Sequence, residues 1–242
     1  MIPVDLHSFK EAVKNMKNLQ ALYLNFTSIE LIRGSTEDLG EGLRSLKNLK
    51  ALRLSLVKCQ FQHESVVSLG RLLGKMDFVR VLEINLVSSN LESRLLTGFM
   101  GALKSLERLE EFSLKISNNK LDDYVLGKIV EVLKGYKRAK RIELAGDSCG
   151  FSDKGMRNLV DLTQGMGELR ELKLSFSVNR LIKDEGVKML MDGILEGRRL
   201  EKLKADFRIC GVSKEFKEAY VEKVKSEFPS IEDSVLFTSS SG

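Results

Sequence analysis

Residues 169–181 read LRELKLSFSVNRL. Leu172, Leu174 and Phe176 alternate with Glu171, Lys173 and Ser175, the period of a strand with one buried face. Asn179 and Leu181 close the stretch. Thirty residues earlier the same frame reads AKRIELAGDSCGF from Ala139, and thirty before that LEEFSLKISNNKL from Leu109. Its first position falls at Leu19, Leu49, Val79, Leu109, Ala139, Leu169 and Leu200, spaced by thirty residues five times and then by thirty-one. A fixed period of this length marks an array of supersecondary units, each touching only its neighbours.

The fourth position of the frame is Leu22, Leu52, Leu82, Phe112, Ile142, Leu172 and Leu203. The sixth and eighth positions are apolar as well, except at Gly146. The eleventh holds Ile29, Cys59, Ser89, Asn119, Cys149, Asn179 and Cys210, and the thirteenth runs from Leu31 through Leu91 and Phe151 to Leu181 and Val212. This pattern resembles the leucine-rich repeat, LxxLxLxx(N/C)xL, with two extra residues in the strand. At about thirty residues with a helical second half, it is similar to the ribonuclease-inhibitor-like class and to long-stranded repeats of large protist families. The resemblance implies an α/β leucine-rich-repeat horseshoe, with about seven parallel strands on the concave face and helices on the convex face. Parallel strands sit about 4.8 Å apart and helices need more room, so such a stack must curve. Relatives of the class include a nuclease inhibitor and activators of a small GTPase. No residue here matches their functional positions, so none is carried over.

The spacing predicts a helix over Asp153–Met166, with Asp153 as its N-cap and Met156, Leu159, Leu162 and Met166 on one face. Equivalent helices begin near Ser93, Asp123, Asp184 and Ser213. The single extra residue of the penultimate unit is expected around Ile182–Lys183. The whole chain, 1–242, reads as one repeat domain. Residues 1–18 form an N-terminal half-repeat, whose amphipathic helix over 5–17 is expected to cover the first edge. Seven repeats span 19–229. Residues 230–242 give a C-terminal cap strand at Ile231–Phe237, with Pro229 stopping the last helix, and a polar tail.

Composition narrows the function classes. An apolar fraction of 43% and only two Pro fit a packed chain, and a formal charge of +5 permits an acidic partner without demanding one. No run of about 18 apolar residues occurs, so no membrane insertion is expected. The first residues carry Asp5 and Glu11 and do not form a secretory signal, which points to an intracellular, most simply cytoplasmic, protein. All three Cys share the eleventh position, where stacking would hold Cys149 and Cys210 roughly 10 Å apart, too far for a disulfide. They read as structural thiols. His7 and His63 are the only histidines, and no nucleophile is expected beside either. There is no Walker sequence, no GxGxxG and no HExxH. Hence no catalytic residue, no cofactor and no metal site is expected, and the chain reads as a binding module.

Two surfaces stand out. Lys134, Lys137, Arg138 and Lys140 make the densest basic cluster, where one helix returns to the next strand. A helix C-terminus favours cations there in any case. Stacked with equivalent residues from Lys14 and Lys17 to Arg198 and Arg199, they form a basic rim that an acidic partner or nucleic acid could use, although nucleic acid is not the favoured partner. The second surface is the concave face. Odd strand positions place Tyr23, Arg53, Glu83, Glu111, Lys115, Arg141, Glu143, Lys173, Lys202 and Lys204 there. These charges could simply pair across strands. Alternatively they meet a protein partner of matching pattern, with Tyr23 and Arg53 as anchors. The leading expectation is a protein–protein interaction scaffold. A regulator of a partner enzyme is the second.

Overall fold

Each unit opens with alternating apolar and polar residues, and these become strands that pair in chain order. The computed structural model describes residues 5–62, 65–162, 165–196, 200–227 and 235–236. The main sheet runs β1 (Ala21–Thr27), β3 (Ala51–Val57), β5 (Val81–Asn85), β6 (Glu111–Lys115), β7 (Arg141–Ala145), β8 (Glu171–Ser175), β9 (Lys202–Asp206) and β10 (Val235–Leu236). Every pair is parallel and advances by one repeat, so that Leu24 lies opposite Leu54, Leu54 opposite Ile84, and Leu144 opposite Leu174. A minor sheet pairs β2 (Glu30–Leu31) with β4 (Gln60–Phe61). Within the expected Ile231–Phe237, Val235 and Leu236 pair with Ala205 and Asp206. Pro229, Ile231–Ser234 and the polar tail lie outside the described residues, as do His63, Arg198 and Arg199.

The helices are α1 (His7–Val13), α2 (Arg33–Ser45), α3 (Ser65–Leu73), α4 (Ser93–Ala102), α5 (Asp123–Leu133), α6 (Asp153–Leu159), α7 (Asp184–Glu196) and α8 (Lys214–Glu227). They stack beside one another over one face of the sheet. Leu52, Leu54, Leu82, Ile84, Phe112 and Leu114 point into that layer and are at most 2% exposed. One contiguous apolar core joins every unit.

The eleventh position ties the units together. The residue before it (Ser28, Lys58, Ser88, Asn118, Ser148, Val178 and Ile209) adopts φ between +52° and +61°. This left-handed step turns the chain out of the strand and aims the eleventh side chain inward. There it donates to the eighth-position carbonyl of the preceding unit. Cys59 Sγ reaches Phe26 O at 3.5 Å, Ser89 Oγ reaches Leu56 O at 2.8 Å and Asn119 Nδ2 reaches Leu86 O at 2.9 Å. Cys149 reaches Ile116 O at 3.3 Å, Asn179 reaches Gly146 O at 2.9 Å and Cys210 reaches Phe176 O at 3.2 Å. The thiols are free, and burial pushes those of Cys149 and Cys210 up to about 11 despite backbone hydrogen bonds.

Four expectations need correction. The N-cap of α6 is Ser152, whose extended backbone lets its Oγ accept from Lys154 N. Asp153 is instead the first helical residue, and its carboxylate accepts from Lys183 N of the next unit at 2.7 Å. Asp123 and Asp184 do the same for Ser152 N and Ser213 N. The helix itself stops at Leu159 and passes into a 3₁₀ turn over Val160–Leu162, although Met156, Leu159, Leu162 and Met166 are all buried as expected. The extra residue enters at Leu181, which is 60% exposed, while Ile182 is fully buried in the place that Leu31, Leu91 and Phe151 fill elsewhere. Finally, α1 is shorter than 5–17 and covers α2 but not β1. Leu22, Leu24 and Phe26 stay only partly buried.

Candidate functional site

Because even strand positions are drawn into the core, the third, fifth and seventh positions form three lanes on the open face. Cross-strand charges pair along them. Arg53 Nε lies 3.0 Å from Glu83. Arg141 bridges Glu111 at 3.3 Å and Glu171 at 2.7 Å, and Lys202 approaches Glu171 at 3.7 Å. Glu143 meets Lys173 at 2.9 Å and Lys115 at 3.5 Å and accepts from Ser113 Oγ at 3.2 Å. Burial alone would raise the Glu143 carboxyl, but the Lys173 hydrogen bond and both ammonium charges outweigh it and hold the group below the usual carboxylate range. Arg141 is held in its charged form chiefly by its bond to Glu171. Among the expected concave residues only Tyr23 and Lys204 take no part in these pairs among the described residues. The lattice is therefore real, and it occupies mainly the C-terminal half of the face.

The N-terminal half carries a hollow of about 150 Å³. Its walls are Tyr23, Arg53, Ser55, Glu83, Asn85, Ser113 and Lys115, over Leu54 and Ile84. The structure thus brings Tyr23, Arg53, Glu83 and Lys115 together. Glu111, Arg141, Glu143, Lys173, Lys202 and Lys204 stand outside the hollow. Tyr23 is 62% exposed, the most open large hydrophobic side chain among the described residues. Sequence reasoning did not single out Ser55, Asn85 and Ser113. Their signal was faint: small polar residues in the fifth and seventh lanes, without charge.

A second polar cluster was also missed. Asp147 accepts from Ser175 Oγ at 2.6 Å, from Ser177 N and Oγ at 2.8 Å, and from Ser117 Oγ at 2.9 Å. Three units are pinned here, and in the next unit Arg208 clamps its own Asp206. All partners are internal, so the cluster is a fastening. The basic rim is similarly occupied. Lys134 pairs with Asp161 at 2.9 Å, Lys137 donates to Gly165 O at 3.2 Å and Lys140 approaches Glu110 at 3.8 Å. Arg138 is exposed. No three His, Cys, Asp or Glu side chains converge as metal donors among the described residues. His7 is exposed, 3.9 Å from Asp38.

The strand–turn–helix unit, its parallel one-repeat register and the eleventh-position hydrogen bonds decide the architecture. The chain is a leucine-rich-repeat solenoid. No family model and no curated protein matches it in sequence. Among solved structures it is similar to internalin C2 of Listeria monocytogenes, with 14% identity and a TM-score of 0.42 over 95% of this chain and 83% of that one. It is also similar to a protein of Bacteroides fragilis, with 14% identity and a TM-score of 0.45 over 96% of this chain and 69% of that one. Both likenesses concern the fold of the solenoid and not its site.

Proposed function

We propose that the solenoid is a non-enzymatic protein-interaction scaffold, either an adaptor or a subunit of a larger assembly. It binds its partner protein through the concave face of the first four units. The observation that carries this reading is the exposed Tyr23 beside the paired Arg53 and Glu83 at the rim of a preformed hollow. Tyrosine and arginine supply much of the energy of protein interfaces, and a wall fixed by strands loses little freedom on binding. The lattice farther along the face has already satisfied its charges, so a partner gains less there.

The thiols support the non-enzymatic reading. Each donates to a main-chain carbonyl, and burial raises all three, which is the opposite of an activated nucleophile. Three of the four rim cations already have partners, which weakens the rim as a seat for nucleic acid. No described helix is long and apolar enough to cross a membrane.

Capture from native extract tests the surface. A stoichiometric protein should be retained by the chain and by Lys137→Ala/Arg138→Ala, and lost with Tyr23→Ala/Arg53→Ala. Loss with the rim pair and retention with the concave pair would contradict the assignment.

A further inference from the structure

Among the described residues, no strand precedes the N-terminal helix. In the other units a strand lies beneath each helix, beside the strand of its neighbour. Here α1 stacks on α2 so closely that a Cβ on Gly42 would lie 3.1 Å from Phe9 and Val13. Among the described residues, nothing fills the place beneath α1 and beside β1. The wall of that place is apolar: Leu22, Leu24 and Phe26 are only partly buried, whereas their counterparts Leu52, Leu54 and Leu56 are at most 1% exposed.

Among the described residues, the outer main chain of β1 has no strand partner. Gln20 O accepts from Ala51 N, and Ser28 N donates to Val57 O, so the even-numbered residues of β1 face β3. In a parallel pair this leaves the N–H and C=O groups of Ala21, Tyr23, Asn25 and Thr27 pointing outward. Proteins shield such edges with charge, proline or a bulge. β1 reads ALYLNFT, with no charged residue and no proline, and it pairs in unbroken register. The other end of the sheet is guarded: β9 carries Lys202, Lys204 and Asp206, and β10 pairs with it.

We propose that this slot receives one extended strand from a partner protein. The strand pairs with the outward groups of Ala21, Tyr23, Asn25 and Thr27, and seats every second side chain, an apolar one, on Leu22, Leu24 and Phe26. In a stack with one strand beneath each helix, the place beneath α1 is that of one strand, so the slot admits a single strand. A second copy offering its own β1 would bring a second α1 into the same space. The slot borders the concave hollow at Tyr23 but does not depend on the hollow being used.

The probe is the nonapeptide KALRLSLVK, residues 50–58 of this chain, whose core pairs with the inner side of β1. Amide exchange of the full chain is followed by NMR with and without millimolar peptide. The outward amides of Ala21, Tyr23, Asn25 and Thr27 should slow by about tenfold or more, with the inward amides unchanged. A peptide N-methylated at alternate residues should produce no slowing. Asn25→Pro removes an outward N–H but no inward one, and should abolish the slowing at Tyr23 and Thr27. Unchanged exchange, or slowing reproduced by the N-methylated peptide, overturns the proposal. So does slowing that grows with chain concentration without peptide, because it assigns the slot to a second copy. Tyr23→Ala removes a concave side chain but no edge group. Peptide binding that survives in this variant separates the slot from the concave site.

Discussion

Asn179 is fully buried, and its amide serves two units at once. Its Oδ1 accepts from the backbone N–H of Cys149, Gly150 and Phe151 at 2.9–3.1 Å. Its Nδ2 donates to Gly146 O and Phe176 O at 2.9 and 2.8 Å. Asn179→Ala leaves these groups without a partner where water enters poorly. At about 1–3 kcal/mol for each buried group left unsatisfied, and with part of the loss recovered by relaxation, the cost should be about 3–6 kcal/mol. The chain contains its own control, because the equivalent residues Cys149 and Cys210 keep only the donor half of this arrangement. Asn179→Cys should therefore retain the bond to Gly146 O, lose the acceptor half, and cost clearly less than alanine. Urea unfolding, fitted with its slope, measures both. If alanine costs under about 1 kcal/mol, or cysteine costs as much as alanine, the eleventh-position hydrogen bonds are not what fastens the units.

Val178 is a β-branched residue at φ +61°, partly open to solvent, where the equivalent Asn118 sits at φ +57°. Val178→Asn should raise the urea midpoint by about 1 kcal/mol equivalent with unchanged slope; a lower midpoint would show that the valine side chain packs usefully. The raised thiols favour the protonated form when folded. The stability they contribute is complete below about pH 9 and fades as pH climbs through about 11. At pH 8 a thiol reagent should label all three cysteines fast only after unfolding, and rapid native labelling of Cys149 would contradict its burial. Glu143 works with the opposite sign: its contribution is present above about pH 4.5 and is lost as pH falls through its depressed folded value, so Glu143→Gln should flatten the acid limb of a stability–pH curve. Arg141→Ala should cost only about 0.5–1 kcal/mol, shrinking with salt, because the pairs are half-exposed.

The strand lanes were legible because a side-chain period of two combined with a spacing of thirty leaves only one register. Leu24, Leu54, Ile84 and Leu114 therefore fell where they were expected. The cap geometry was less legible. Ser152 and Asp153 are both good capping residues, and only the position of the next unit decides that Asp153 turns away to bind Lys183 N. Leu181 and Ile182 are chemically alike, so the frame could not tell which one the core accepts. Ion pairing on the concave face was visible as a possibility, because the lanes alternate in sign. The hollow was not, since it arises from what Ser55, Asn85 and Ser113 leave empty. The open edge of β1 escaped notice for a similar reason: an amphipathic helix before the first strand looked like a cover, and only its place over α2 shows that it is not.

The face used for binding is the central claim, and site-specific photocrosslinking in native extract tests it most directly. A photoreactive residue placed at Tyr23 on the concave face is compared with one at Tyr124, equally exposed at 60% but on helix α5. One dominant protein adduct is expected from position 23 and none of comparable yield from position 124. An adduct from position 124 with position 23 silent would contradict it, and would move the working surface to the helical side of the solenoid.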